Sequence, residues 1–430
     1  MAKILPFRGI LYNKKKIGNL EAVMAPPYDV ISPQMRDELY KAHSHNVVRI
    51  ILGKESPNDN KKNNKYTRAA KFLKKWIKED ILKKDKTPSI YIYEQEYLYK
   101  GKLKKRIGFI SLMKIEDPAS SLVLPHEHTF FKPKEDRLNL IRSTKTNTCP
   151  IFCIFQDDRN RVTNAIKKNA SKKSPIIDIH LEGVGHKLWR MTDSKVITKI
   201  RKELGKKQVF IADGHHRYEV SLIFRDEMRR RLGRRDAPKY SNVMTYFSNL
   251  TDESLVIFST YRVIRNLGNM NWDHLRKKLA IYFDIEDVKD KDEMFKRLDQ
   301  AHKGYVFGTY FKNRRFYILR LKDESQLDDI IKVDKSRQWR RLNVTVLHFL
   351  IFDHILHIDR FSYNDENIIY TRDEDYAVDL VNKGECDIAF FQLPTKVMEV
   401  RDIARHGDRM PHKSTYFYPK LLTGLVMNKF

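Results

Sequence analysis

The chain has 430 residues, 41% hydrophobic and 11% aromatic, which allows a sizeable core and excludes a largely disordered polymer. Its formal net charge of +28 implies attraction to anions, whether nucleic acid, acidic membrane or phosphorylated small molecules, without choosing among them. There is no secretory h-region and no run of about 18 apolar residues. The three irregularly spaced cysteines (Cys149, Cys153, Cys386) suit neither a disulfide framework nor a zinc site, so a soluble cytoplasmic protein is expected.

In chain order, "MAPPYDVIS" (24–32) reads as a proline-fixed turn presenting Tyr28 and Asp29, with Ser32 before a helix-like start. "VVRIIL" (47–52) reads as a strand with Asn46 at its entry and Arg49 inside it. The lysine-rich runs at 54–76 and 167–173 read as solvated loops and helix faces. Two alternating runs flanking "YKGK" between 90 and 115 predict a β-hairpin.

Further strands are expected at 151–155, 208–212, 242–248, 254–260, 303–311 and 315–321, and helices at 65–83, 215–232, 272–281, 342–357 and 375–383. Their interspersion without strict βαβ alternation predicts an α+β, or mixed α/β, fold. Soft boundaries near 156–175 and 265–290 lead to an expected catalytic region over 1–265. A C-terminal α/β region over 266–430 should send its end (404–425) back to the active site.

Three clusters carry reactive side chains. In "IADGHHRYEVS" (211–221) an apolar strand runs into a helix through Asp213 and Gly214. Asp213 is expected as the N-cap, with His215, His216 and Arg217 on the first turn, where free N–H groups already favour an anion. The alternative is a capped helix end meeting solvent.

The second cluster, "LPHEHTFFKPKEDRLNLIRSTKTNT" (124–148), reads as an extended basic loop because of its prolines. Glu127, between His126 and His128, is a candidate general base or magnesium ligand, and Arg137 adds charge. The "HEH" lacks the spacing of a zinc protease, although a metal pair on a strand remains open.

The third, "ARHGDRMPHKSTYFYPKLLTGL" (404–425), is no P-loop, since His412 stands where the second glycine belongs and "TKVMEVRDIAR" before it reads as helix. Lys413, Ser414 and Thr415 could still hold phosphate oxygens. Asn46 and Arg49 are weaker candidates for a carboxylate or phosphate. No GxGxxG after a strand and no protein-kinase signature occurs.

Together "MAPPYDVIS", "HNVVRI", "RIGFI", "HEHTFFKPKEDRLNLI", "ADGHHRYEVS" and "MPHKSTYFYPKLLTGL" resemble a ParB/sulfiredoxin-like family long carried as a domain of unknown function. Its characterised members are pyrophosphate-dependent L-serine kinases. The resemblance spans nearly the whole chain, with the motifs in the family's order, and the "DGHHR" box also resembles an element of ADP-dependent and siderophore-pathway serine kinases. One departure is visible: Tyr261 stands beside Arg262 where the family usually has histidine.

The resemblance implies a ParB/sulfiredoxin-like catalytic core with added sheet and helices. It also implies phosphoryl transfer from pyrophosphate to serine in serine and cysteine metabolism, with Mg2+ or another divalent cation. Asp213 or Glu127 would be the base or metal-linked carboxylate, and His215, His216 and Arg217 would grip the phosphoryl group. His126 and Arg137 would add charge, Lys413, Ser414 and Thr415 would close on the diphosphate, and Asn46 and Arg49 would bind the serine carboxylate or a phosphate. The expected partners are pyrophosphate, L-serine and O-phospho-L-serine, with no membrane. The alternatives are a ParB-like nucleic-acid binder and a phosphoserine-directed phosphatase or phosphotransferase using another donor.

Overall fold

A computed structural model of the chain describes residues 2–233, 237–268, 270–301, 304–358 and 367–430. It is a mixed α/β structure in two compact units, one formed by Met1–Leu255 with Pro419–Phe430 and the other by Val256–Tyr418. The first division falls ten residues before the soft boundary read at 265, and the last segment of the chain lies with the first unit.

The first unit is built on a nine-stranded mixed sheet. Its centre is the expected hairpin, Ile90–Tyr99 with Lys102–Lys114, flanked on one side by Val184–Met191 and on the other by Asn242–Asn249. Ile151–Phe155 follows, parallel to Asn242–Asn249, and then Val209–Asp213, antiparallel to Ile151–Phe155.

Alternation along the hairpin divides its residues between two buried faces. Ile90, Ile92, Ile107 and Phe109 join the main apolar core with Val162 and Ile166 of the helix Arg161–Ala170, and with Ile197 and Ile200 of the helix Ser194–Leu204. Truncating one such isoleucine to alanine would cost about 2–5 kcal/mol. The interleaved residues Tyr91, Tyr93, Gln95 and Tyr97 are buried too, and several are polar. Their hydroxyl and amide groups therefore need partners, and the chain's last segment supplies some of them: Gln95 Nε2 donates to the Lys420 carbonyl at 2.9 Å, and the Leu422 amide to the Tyr93 hydroxyl at 3.4 Å.

That segment is held along its length. The Ala25 and Thr423 backbones exchange hydrogen bonds, as do Ile10 and Met427, and Asn428–Lys429 pairs with Thr146–Asn147. Gly424 has φ +102°, and a Cβ there would come within 2.8 Å of Met24 Sδ, so the close approach requires glycine.

Three local expectations change. Residues 47–52 form no strand: Val48–Ile51 is a buried helical turn, started by Asn46 Oδ1 accepting from the Val48 amide at 2.9 Å. A short apolar run has no period long enough to separate the two states. The loop read over 124–148 contains the helix Phe131–Thr144, because Pro133 falls in its first turn, where the missing N–H costs nothing. The strand at 254–260 shrinks to Val256–Ile257.

The second unit carries a six-stranded antiparallel sheet, ordered Phe283–Val288, Arg315–Leu321, Val306–Phe311, Ile388–Gln392, Tyr261–Ile264, Ile368–Thr371. Met294 and Leu298 of the helix Lys291–Gln300, and Leu380 and Val381 of the helix Glu374–Asn382, cover one face. The helix expected over 342–357 begins as an α-turn at Asn343–Val346 and widens into a π-helical stretch, Leu347–Ile355. Among the described residues no helix is long and apolar enough to cross a membrane.

Candidate active site

The strand Val209–Asp213 ends at an acid and the helix His215–Leu232 begins two residues later, with Gly214 as the junction at φ +90°. Gly214, not Asp213, is the N-cap, and no side chain among the described residues caps this helix. The Asp213 carboxylate turns elsewhere. Oδ2 accepts from Arg217 Nη2 at 2.5 Å, and Oδ1 accepts from Lys420 Nζ. A guanidinium and an ammonium donor outcompete backbone amides for this half-buried carboxylate, because charge-assisted hydrogen bonds are the stronger kind.

The first intrahelical bond runs from the Tyr218 amide to the Gly214 carbonyl. The amides of His215, His216 and Arg217 thus sit at the positive end of the helix without an acceptor among the described residues, an arrangement that suits an anion.

Burial alone would raise the Asp213 pKa, but the charges of Lys420 and Arg217 outweigh it and hold the carboxyl below its usual range. Arg217 is fixed further by the Pro150 carbonyl and by Cys149 Sγ at 3.0 Å. Burial pushes the Cys149 thiol up despite the adjacent guanidinium.

The loop 125–130 lies over the helix start through two backbone-to-imidazole bonds. The His126 amide donates to His215 Nε2 at 3.2 Å, and the Phe130 amide donates to His216 Nε2 at 3.0 Å. Each ring that accepts at Nε2 carries its proton on Nδ1. His215 Nδ1 then lies 3.1 Å from Glu127 Oε2, while His126 Nδ1 donates to the Ile211 carbonyl at 2.7 Å and leaves its Nε2 3.7 Å from Glu127 Oε1. Glu127 is therefore flanked by two buried imidazoles, with a third of its own side chain exposed. Its charge is felt at Asp213.

Potential ligand atoms of His126, Glu127 and His215 all lie within 4.8 Å of one another, so this group could hold a divalent cation. Two imidazole nitrogens and one carboxylate do not fit magnesium, which takes oxygen ligands. Binding through His215 Nδ1 would also set a protonated Nε2 against the His126 amide.

Residues 4–345 match the family described as "Protein of unknown function (DUF1015)". The chain belongs to the DUF1015 family. No curated protein matches the sequence. Among solved structures, this DUF1015 chain is similar to a conserved hypothetical protein from Pyrococcus furiosus, with 13% identity over 70% of this chain and 89% of that one and a TM-score of 0.31. It is similar to a free serine kinase in complex with AMP, at 13% identity over 69% of this chain and 83% of that one with a TM-score of 0.32. SbnI with C-terminal truncation from Staphylococcus aureus gives 10% identity over 73% of this chain and 85% of that one, with a TM-score of 0.33.

Of the residues singled out in the DUF1015 sequence, His126, Glu127, Asp213, His215, His216 and Arg217 come together. Arg137 shares with Arg217 the lining of a cavity of about 50 Å³, together with Tyr28, Cys149, Ser221 and Thr423. Its guanidinium stacks 4.0 Å over the Tyr28 ring and donates to the Ile51 carbonyl at 2.7 Å. It also pairs with Asp136, whose pKa falls to about 2 because Arg137 and Lys65 outweigh burial.

Asn46 is wholly buried and spends its amide on the Ala22 and Met24 carbonyls, each at 2.9 Å. Arg49 donates to the Tyr40 carbonyl at 2.8 Å; no hydrogen bond or ion pair joins either residue to the cluster among the described residues.

Lys413, Ser414 and Thr415 belong to the second unit. There the Ser414 hydroxyl donates to the Pro411 carbonyl at 2.5 Å, the Lys413 ammonium lies 4.3 Å from the Tyr370 ring, and fully buried Arg262 donates to the Lys413 carbonyl at 3.3 Å. Burial lowers the Arg262 pKa to about 10.

Sequence reading missed two groups. Lys420 stands in the quoted "YPKLLTGL" run, but nothing local distinguishes it from the other lysines. Asp29 reads in the sequence as part of a proline-fixed turn, yet its exposed carboxylate is felt electrostatically by Tyr28, His216 and Arg217.

Proposed function

We propose that this protein is a kinase transferring a phosphoryl group from pyrophosphate to the hydroxyl of L-serine, yielding O-phospho-L-serine and phosphate. The observation carrying this reading is the placement of Glu127, 3.1 Å from His215 Nδ1, beside a helix N-terminus where Arg217 and Lys420 share one carboxylate. Phosphoryl transfer needs little covalent help from protein. It needs cations converging on the moving group and a carboxylate near the acceptor hydroxyl.

Asp213 is unsuited to the base role, since both its oxygens hold cations and its pKa is lowered. Glu127 is the better base. Arg217 and the free amides of residues 215–217 would hold phosphoryl oxygens, with Arg137 adding charge across the cavity.

The choice of pyrophosphate and serine, and the place in cysteine biosynthesis, rest on the motif resemblance. Magnesium, where required, is expected to be held by the oxygens of the diphosphate, and no step is assigned to it.

Incubating the protein with serine and, separately, pyrophosphate, ADP or ATP tests this by phosphoserine detection. Product with pyrophosphate is expected. In Glu127→Gln, kcat should fall by about 100-fold or more with the KM for pyrophosphate little changed. No phosphoserine with any of the three donors would refute the reading.

A further inference from the structure

His215 is 3% exposed, and its Nδ1 is buried without a hydrogen bond among the described residues. Glu127 Oε2 lies 3.1 Å from that nitrogen, so distance is not what fails; the direction is wrong for an N–H donor. An unsatisfied polar atom in the interior is costly, and a bound ion is one of the few things that satisfies it.

The neighbouring ring is set for the same purpose. His126 is fully buried, and its Nδ1 donates to the Ile211 carbonyl at 2.7 Å. That bond fixes the ring proton on Nδ1 and leaves a lone pair on Nε2, 3.7 Å from Glu127 Oε1. A backbone carbonyl that locks one ring nitrogen while the other presents its lone pair is how metal-binding histidines are oriented.

The spacing fits as well. Bonds of about 2.0–2.1 Å from a central ion, at tetrahedral angles, set neighbouring ligand atoms roughly 3.3 Å apart. The distances of 3.1 and 3.7 Å bracket that edge, and the three ligand atoms all lie within 4.8 Å of one another. The Glu127 side chain is a third exposed, so an ion has a way in and a water can take the fourth position.

We propose that His126 Nε2, the Glu127 carboxylate and His215 Nδ1 form a binding site for Zn2+. Two imidazoles and one carboxylate suit this borderline ion and not Mg2+. Neutral His215 has one proton for two nitrogens, so zinc on Nδ1 places that proton on Nε2. The ring then no longer accepts from the His126 amide, the longer of the two bonds that hold the loop 125–130. Zinc binding and docking of the loop on His215 are thus alternative states of one ring, while the Phe130 bond to His216 persists. Resting on the phosphoryl-transfer reading, zinc on Glu127 occupies the carboxylate that takes the serine proton, so the loaded protein is an inhibited kinase.

The test uses the full chain, stripped with a chelator, as wild type, Glu127→Gln and His215→Gln, with circular dichroism to follow folding and calorimetric titration of ZnCl2 and MgCl2. Wild type should bind one equivalent of Zn2+ and show no saturable uptake of Mg2+, and each variant should lose at least about tenfold in zinc affinity. Hydrogen exchange at the His126 amide should quicken at least about tenfold on zinc loading, with the Phe130 amide unchanged.

Undiminished zinc affinity in a folded Glu127→Gln would overturn the proposal, as would a wild type that takes up no zinc. If His215→Gln does not fold, Glu127→Gln decides alone. With free Zn2+ clamped by a metal buffer, phosphoserine formation by wild type should fall at least about tenfold. Zinc bound at these residues with turnover undiminished would overturn the inhibition. A wild type that makes no phosphoserine in the absence of zinc would bring down the phosphoryl-transfer reading, and the titrations would still decide the metal site.

Discussion

The Phe130 amide donates to His216 Nε2 at 3.0 Å, so this imidazole must be neutral to hold its loop. Burial, with His215 beside it, lowers the His216 pKa and favours that neutral form. The sign follows: a depressed folded pKa gives stability that is complete above the ordinary value of about 6.5 and drains away as pH falls towards the folded value. Thermal melts of wild type and His216→Gln between about pH 8 and 5 should diverge above pH 6.5 and converge below it. Parallel curves across the range would contradict the assignment, and subtraction removes the contributions of the other histidines.

Asp213→Asn removes the one charge that Arg217 and Lys420 share. Leaving those cations buried without a carboxylate should cost about 3–5 kcal/mol in denaturant unfolding. An anion can stand in for the lost carboxylate, so saturating pyrophosphate should stabilise the variant more than the wild type. Equal stabilisation of both proteins would argue that the anion binds elsewhere. Because the Asp213 pKa is lowered, the stability it contributes is present at neutral pH and lost on acidification through its folded value.

Gly214 has φ +90°, and a Cβ there would approach the Arg217 guanidinium to 2.8 Å. Gly214→Ala should therefore cost about 1–3 kcal/mol of stability and displace Arg217 from Asp213. Turnover should fall further than the melting temperature alone accounts for, which kinetics on the folded fraction would reveal. Normal kcat in Gly214→Ala would mean that Arg217 is not held in its working position by this turn.

The three thiols are free, and burial raises the pKa of each. Thiolate, not thiol, is the nucleophile, so native protein treated with iodoacetamide near neutral pH should stay unmodified by mass spectrometry, and denatured protein should gain three adducts. Rapid labelling of Cys149 alone would show that Arg217 governs that thiol more than burial does.

Much of the core was legible because alternation and helical periodicity are local: the hairpin at 90–115, the strands at 151–155 and 242–248 and the helix over 215–232 stand where the pattern placed them. The site was legible where chemistry is contiguous, as in "DGHHR". It was illegible where a residue's role depends on a distant partner. Asp213 has the preference of an N-cap, but tertiary cations outbid the backbone for its oxygens. Residues 47–52 have strand-like composition, but the Asn46 side chain starts a turn that no period reveals. Lys420 is one cation among many until the fold sets its ammonium against Asp213.

The first unit is interrupted: residues 256–418 separate its bulk from the twelve residues that finish it. During synthesis the Asp213 carboxylate and its helix emerge long before Lys420 does, and the polar face around Tyr93, Gln95 and Arg106 waits for the segment that satisfies it. The intervening unit must be made, and residues 419–430 must clear the ribosome, before that face can close. A chain stopped short of 419 therefore has both Asp213 without its Lys420 partner and a buried polar layer exposed, so premature termination should yield a target for quality control.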